Sequence, residues 1–559
     1  MKSFLYVVRL GLVGLIMISG FACSPVAKVD TGNSRPNILV IVADDMGFSD
    51  LGSFGGEIET PNLDGLANIG VRFSSFYTAP TCSPTRAMLL SGTDHHLVGL
   101  GSMAEALAPN QKGQPGYEGY LNFQTVTLAE LLRDAGYRTY MAGKWHLGME
   151  KKQGPAARGF EKSFVLLQAG GGHFDDLGFV PGKALYRENG EPVSLPEDFY
   201  STKSYSDKMI QYIQENFNGV KEQDYKPFFG YLAYTAPHWP LQAPEASIEK
   251  YRGKYDLGYD ELHDRRLAAV KALGIVPQHT EASPREQGEF PWDELSEDEK
   301  RVEARRMEIY AAMVDDIDVH VGRVLDTLKA NGQLENTLII FMSDNGAEGH
   351  ELDRVWPAVG PWVEGCCDNS LANMGKADSY VWYGPNWARA GMTPFSRYKA
   401  YTNEGGIRAP AFISYPKVAR KGTIVPNFVS VMDVMPTVLE FTGVEHPGPL
   451  YENRTVFPMQ GTSMLSFLQG NAQYVHDAEE VMGWELFGKR AIRKGTWKIV
   501  YAGEADGNAI WELFNLESDP AEQLDLAAAQ PIKLQQMIGF WGDYARENGV
   551  IIPNHVSGY

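Results

Sequence analysis

Four short strand-like runs, three of them apolar, each followed at once by polar or charged residues, constrain this chain more than any other feature. Asn37-Ile38-Leu39-Val40-Ile41-Val42-Ala43 precedes Asp44-Asp45, and Tyr137-Arg138-Thr139-Tyr140-Met141-Ala142 precedes Gly143-Lys144-Trp145-His146. The run 228–234 precedes Thr235-Ala236-Pro237-His238, and the run 337–342 precedes Ser343-Asp344-Asn345-Gly346. Continuous apolar runs of this length suit parallel strands buried on both faces. Helical spacing recurs between them, over residues 127–134, 204–217 and 305–328. This alternation predicts an α/β fold with a mixed, mostly parallel sheet covered by helices. The polar stretch 245–300 reads as a partly helical excursion over the surface. Beyond residue 468 the pattern changes to short strands with Gly and Asp turns, such as Lys498-Ile499-Val500-Tyr501 and Trp511-Glu512-Leu513-Phe514. A smaller α+β domain with an antiparallel sheet is expected over 469–559, after a large domain over 36–468.

Ligands of open α/β sheets bind beyond the carboxyl ends of the strands. If the four strands are neighbours, Asp44, Asp45, Asp344, Asn345, Lys144, His146 and His238 converge on one edge. Taken singly, an Asp after a strand caps the next helix, and a lone His is a satisfied structural residue. Together the reading changes. Three packed carboxylates repel, and their charged forms survive only beside a cation. The all-oxygen set of Asp44, Asp45, Asp344 and the Asn345 amide suits a hard cation such as calcium or magnesium. No histidine–carboxylate cluster at zinc spacing is evident.

The 559 residues carry 50 Lys and Arg against 70 Asp and Glu, a formal charge of −20. Such a surface repels polyanions, so no nucleic-acid partner is expected. Four cysteines, Cys23, Cys82, Cys366 and Cys367, are too few for a disulfide scaffold. Adjacent Cys366 and Cys367 read as two reduced thiols, because a bond between neighbours is strained. Buried, hydrogen-bonded side chains are expected for His95 and His96. Lys2 and Arg9, an apolar run over 10–18 and Ser19-Gly20-Phe21-Ala22 read as an export signal over 1–22. The run is too short for a bilayer span, which needs about 20 residues. Cys23 resembles the acylated first residue of a bacterial lipoprotein, with 23–35 as its tether; ordinary cleavage after Ala22 fits as well. Export to the periplasm, or to the outer membrane as a lipoprotein with a lipid anchor at Cys23, is the expected localisation.

Cys82 opens Cys82-Ser83-Pro84-Thr85-Arg86-Ala87-Met88-Leu89-Leu90-Ser91-Gly92. Ser83 suits an N-cap, Pro84 the first helical position and Gly92 the close of the helix. Cys82 would then lie just ahead of a helix N-terminus, where backbone N–H groups favour an anion, with Arg86 one turn on. A buried structural cysteine and a thiolate nucleophile are the alternative readings.

This stretch resembles the first sulfatase signature, C-x-P-x-R with a hydrophobic run and Ser/Thr-Gly. Gly136-Tyr137-Arg138-Thr139 with Gly143-Lys144-Trp145-His146-Leu147-Gly148 resembles the second. Asp44-Asp45, Asp344-Asn345-Gly346 and Glu404-Gly405-Gly406-Ile407-Arg408-Ala409-Pro410 also match, over about residues 35–525. The chain is thus similar to formylglycine-dependent sulfatases, bacterial arylsulfatases in particular. The resemblance implies an alkaline-phosphatase-like large domain and a sulfuric ester hydrolase. It implies oxidation of Cys82 to formylglycine by a separate maturation system, and one calcium ion held by Asp44, Asp45, Asp344, Asn345 and modified Cys82. Arg86 would pin the aldehyde hydrate, and Lys144 and Lys399 would hold sulfate oxygens. Asp344 would take the attacking hydroxyl's proton, and His238 with Lys399 would protonate the leaving group of a covalent sulfo-enzyme step. His146 would release sulfate by elimination. The substrate would be a small-molecule or saccharide sulfate ester, with pocket loops near 97–119, 170–179 and 354–387. A phosphoester hydrolase of the same fold and a non-catalytic binding protein are the rivals.

Overall fold

The computed structural model describes residues 35–221, 225–286, 289–503, 508–555 and 557–559. The export signal and nearly all of the tether, Cys23 included, lie outside the described residues. Pro36–Tyr559 is one compact unit. Its strands are β1 (Asn37–Ala43), β2 (Val71–Tyr77), β3 (Arg138–Lys144), β4 (Lys162–Leu166), β5 (Tyr186–Glu188), β6 (Glu191–Pro192), β7 (Phe228–Ala233), β8 (Thr337–Ser343), β9 (Arg408–Ser414), β10 (Thr423–Val425) and β11 (Val429–Ser430). They form one sheet in the order β10-β2-β9-β8-β1-β7-β3-β4-β5-β6, with β11 beside β2. β1 lies between β7 and β8 and is parallel to both, and β3 runs parallel to β7 and β4. β9 is antiparallel to β2 and β8, so the sheet is mixed and parallel at its centre, as expected.

The continuous apolar runs have a direct explanation. Alternate residues of a strand point to opposite faces. Leu39, Ile41 and Ala43 enter a core with the helices Ser201–Phe217 and Glu297–Ala330. Ile38, Val40 and Val42 enter a second core with the helices Cys82–Ser91, Leu128–Asp134 and Val434–Thr442. β1 is buried along its whole length, so every position is apolar except Asn37, whose side chain bonds Gln333 and Thr337. A leucine replaced by alanine in such a strand costs about 2–5 kcal/mol. The long helix starts at Glu297, capped by Ser296, eight residues before the expected position 305. Its first turns are polar and lie outside the apolar periodicity, so only the cap signalled the true start.

The C-terminal region holds β12 (Leu450–Tyr451) paired with β13 (Arg454–Thr455), then an antiparallel sheet of β14 (Val481–Leu486), β15 (Lys489–Lys494), β16 (Trp497–Gly503) and β17 (Asn508–Asn515). One face of this sheet packs on the helix Pro531–Glu547 through Ile492, Ile499, Leu513, Met537 and Trp541. The other face, with Trp484, Ala491, Val500 and Phe514, joins the second core of the main sheet. Burial on both faces makes the C-terminal sheet a third layer of the unit. No helix among the described residues is long and apolar enough to cross a membrane.

Cys366 and Cys367 correct one expectation: they form a disulfide at the end of the helix Val359–Cys366. The chain bends there from helix to extended backbone, which lets neighbouring sulfurs meet.

His95 and His96 are buried and hydrogen-bonded, as expected. The fold buries the consecutive Asp94, His95 and His96 with a polar atom of each within 4.8 Å of the others. His96 bonds Asp94 at 2.8 Å and Glu485 of β14 at 3.2 Å, and Tyr544 donates to Asp94 at 2.8 Å. Burial opposes charge on His96, but Asp94 and Glu485 outweigh it and hold its pKa at about 9. A pKa raised by folding stabilises the fold below the unfolded value, near 6.5, and that contribution is lost as pH rises through about 9. Neighbouring His95, its ring centre 4.0 Å from that of His96, works in the opposite direction, because burial and His96 push it down to about 3. Thermal melts of wild type and His96→Asn should therefore converge between pH 6.5 and pH 9. A stability gap independent of pH would show that His96 is uncharged.

Candidate active site

The site is built at the carboxyl ends of β1, β3, β7 and β8, where parallel register sets four strand ends side by side. Asp44 and Asp45 follow β1, and Asp45 adopts φ 68°, which turns the chain sharply off the sheet. Lys144 is the last residue of β3; His146 follows with φ 54°. Asp344 and Asn345 follow β8, and His238 follows β7. Left-handed backbone at two non-glycine residues is a strain that the surrounding fold sustains, and such strain clusters at functional sites.

Cys82 is the first residue of the helix Cys82–Ser91, with Thr81 as the N-cap. The expected Ser83 cap is corrected: Ser83 and Pro84 lie in the first turn, where a proline needs no N–H partner. Gly92 closes the helix in the left-handed conformation, as expected. Cys82 Sγ lies 3.3 Å from His146 Nδ1, and His146 Nε2 lies 3.1 Å from Glu105. Arg86 donates from Nε and Nη2 to Asp344 Oδ2 at 2.9 and 2.7 Å, and from Nη1 to the Lys144 carbonyl at 2.8 Å. Lys144 Nζ sits on both oxygens of Asp44, at 2.9 and 2.7 Å. Lys399 Nζ pairs with Asp45 at 2.8 Å and Glu348 at 3.0 Å. His238 Nε2 lies 3.6 Å from Asp45. The ten residues singled out in the sequence therefore occupy one buried cluster.

Electrostatics fix what the cluster can do. Burial raises Asp44 well above the ordinary range, with Asp344 and Asp45 adding to it against Lys144 and Arg86. Burial likewise lifts Asp45 to about 7, despite Lys399. Asp344 is lowered, since Arg86 and Lys144 overcome its burial. Burial pushes the Cys82 thiol up, but Lys144, His146 and Lys399 outweigh it and bring it to about 6. His146 is raised, with Glu105 and Cys82 outweighing burial. His238 is driven well down by burial, Lys399 and Lys144.

The residues fit a divalent cation. Asp44, Cys82 and Asp344 offer ligand atoms within 4.8 Å of one another. Asn345 Oδ1 is buried with no hydrogen-bond partner, while its Nδ2 donates to Asp45 at 2.7 Å. An orphaned buried amide oxygen beside strained carboxylates is a donor set of the hard-cation type.

Comparison with known proteins decides the family. The sulfatase family model matches residues 36–444, and the model for the C-terminal region of N-sulphoglucosamine sulphohydrolase matches 397–537. The chain belongs to the sulfatase family. It is 46% identical over 538 residues to an uncharacterized sulfatase of Schizosaccharomyces pombe, covering 93% of this chain and 95% of that one. It is 41% identical over 441 residues to an arylsulfatase of Klebsiella aerogenes, covering 77% and 91%. Among solved structures, Ps i-CgsB in complex with k-i-k-neocarrahexaose matches with a TM-score of 0.66 and 25% identity, over 94% of this chain and 95% of that one. This sulfatase is thus a sulfuric ester hydrolase with the alkaline-phosphatase-like fold.

Three residues of the site escaped the sequence reading. Glu105 orients His146, and Glu348 holds Lys399, itself being drawn down to about 2 as Lys399 and His350 overcome burial. Gly170 abuts the His238 ring, which a Cβ would approach to 3.1 Å. Glu105 and Gly170 lie in stretches expected to form pocket loops, but no residue-type signal singled them out. Glu404, by contrast, belongs to a matched motif yet bonds none of the residues singled out for the site. It bonds Lys498 of β16 at 2.8 Å, Tyr77 at 2.6 Å and Arg408 at 3.2 Å.

Proposed function

We propose that this sulfatase cleaves sulfate monoesters with residue 82 as nucleophile, in the formylglycine state, beside one calcium ion held by Asp44, Asp45, Asp344 and Asn345. The observation that carries the reading is the position of Cys82: at a helix N-terminus, 3.3 Å from His146 and grouped with Asp44 and Asp344. Calcium bound there supplies charge neutralisation of the sulfate and lowers the pKa of a coordinated hydroxyl. An aldehyde hydrate at residue 82 supplies two hydroxyls, one to attack sulfur and a second whose deprotonation re-forms the carbonyl as sulfate leaves.

The chain's own residues do the rest. Arg86 anchors Asp344 at two points and keeps it ionised, ready to accept the proton of the attacking hydroxyl. Lys144 and Lys399 bring positive charge to a sulfate that the −20 background repels. Burial opposes charge on Lys399, but Asp45 and Glu348 outweigh it and hold it protonated beside His238, so the pair serves the leaving oxygen. His146, oriented by Glu105, takes the proton of the second hydroxyl. Both aryl sulfates and saccharide sulfates fall within this chemistry.

Intact-mass analysis of the peptide containing Cys82 tests the modification: oxidation to the aldehyde is expected, and an unmodified cysteine in fully active protein would refute it. Exhaustive chelation should suppress hydrolysis of an aryl sulfate reversibly, with calcium restoring it better than magnesium. Undiminished activity in metal-free protein would sink the metal assignment.

The proposal extends to maturation and address. A separate formylglycine-generating system is required, and Lys2, Arg9 and the apolar run 10–18 support export, to the periplasm or, with Cys23 acylated, to the outer membrane. N-terminal sequencing of the mature protein, with a lipid label, distinguishes the two.

A further inference from the structure

The polar groups around Cys82 account for sulfate; the apolar groups around it have no assigned task. Cys82 shares a small apolar cluster with Met103, Val355, Ala400 and Tyr559, against which Trp356 and Phe487 pack. Cys82 is 1% exposed and Tyr559 6%, whereas Trp356 and Phe487 are half-buried and form its outer edge. Three rings meet there: Tyr559 stacks on Phe487 with centroids 5.2 Å apart and planes at 8°, and meets Trp356 edge-on at 5.4 Å.

Several features hold the Tyr559 ring in place. Lys489 Nζ donates to the Tyr559 carbonyl at 2.8 Å and lies 4.6 Å from the centre of the Tyr401 ring. Gly558 lies so close to Val355 that a Cβ would come within 2.3 Å of its carbonyl oxygen. Phe487 is the most telling. Phe487-Gly488 is the two-residue turn between β14 and β15, with φ of 56° and 88°. Hairpin turns with both central residues left-handed favour Asn-Gly, and a bulky residue in the first position is strained. Packing in the C-terminal sheet does not require a phenylalanine there. The strain is explained if the ring is needed where it stands, against Tyr559.

We propose that Tyr559, backed by Phe487 and Trp356, is a specificity-determining residue that meets the leaving group of the sulfate ester and favours flat, apolar leaving groups. The inference rests on sulfate ester hydrolysis at residue 82 and adds to it the side of the substrate that carries no charge. Aromatic faces and edges bind planar groups through area and quadrupole alignment. A carbohydrate leaving group, rich in hydroxyls, gains less than a flat aryl group from the ring faces, because its hydroxyls give up water against apolar area.

The test uses full-length, matured, calcium-loaded protein with 4-methylumbelliferyl sulfate and glucose 6-sulfate. Wild type should favour the aryl ester. Tyr559→Ala should raise its KM roughly tenfold with kcat within about twofold, and leave kcat/KM for the sugar ester within about twofold. Tyr559→Phe, which keeps the ring, should behave as wild type. Phe487→Asn, which suits the turn, should raise KM for the aryl ester without lowering the melting temperature, so a folding defect cannot imitate the result. Equal loss on both esters in Tyr559→Ala would make the residue merely structural, and equal gain would make it a plug; either overturns the inference. Protein with aldehyde at residue 82 that turns over neither ester would instead defeat the underlying sulfatase chemistry.

Discussion

Cys82→Ala is expected to lower kcat/KM on an aryl sulfate by at least about 10⁴-fold, with calcium content and melting temperature close to wild type. The asymmetry follows from the site's construction. The oxygen donors sit on loops after β1 and β8, whose positions are set by strand pairing and by Arg86 and Lys144, not by the side chain of residue 82. Loss of the hydrate oxygens from a buried helix start leaves a small void, worth about 1 kcal/mol. Chemistry, by contrast, loses its only attacking group. Cys82→Ser sharpens the point: one hydroxyl permits attack but offers no second hydroxyl for release, so a single turnover without recycling is expected. Hydrolysis by the alanine variant at near wild-type rates would assign the nucleophile elsewhere.

Lys498→Met is expected to cost about 3–5 kcal/mol of stability. Lys498 Nζ, fully buried, bridges Glu404 at 2.8 Å and Glu522 at 2.7 Å. Burial favours neutral carboxyls, but Lys498 and Arg408 draw Glu404 down to about 2, while burial raises Glu522. Glu522 also accepts from Ser396 at 2.6 Å and from the Glu404 amide at 2.8 Å. Removing the ammonium strands Glu522 and leaves Glu404 with Arg408 as its remaining cation, at the junction of the main sheet and the C-terminal sheet. Because Lys399 sits on the same loop as Ser396, activity should fail in denaturant together with the junction. Glu404→Gln added to Lys498→Met should recover part of the loss, since fewer buried charges remain unpaired. Denaturant titrations of the single and double variants measure this; a loss under about 1 kcal/mol would show water reaching the network.

The parts of this protein legible in its sequence were those fixed by short range. β1 declares itself because both of its faces are buried, and the helix after Cys82 ends where Gly92 takes a backbone conformation costly to other residues. The long helix was placed too far along because its polar first turns carry no periodic signal. Cys366 and Cys367 were read as thiols because sequence separation does not report the backbone bend that joins them.

Residue types and strand-end positions alone determined an oxygen-rich, cation-seeking edge, since it follows from local chemistry and alternation along each strand; the expectation for residue 82 came from the resemblance of its segment to the sulfatase signature. Only the tertiary structure decided which partner each charge takes, that Glu105 and Glu348 complete the set, and that a hairpin of the C-terminal sheet brings Phe487 against the apolar cluster around Cys82. Those pairings join residues tens to hundreds of positions apart, and their geometry depends on how the packed layers settle against one another, which no local pattern encodes.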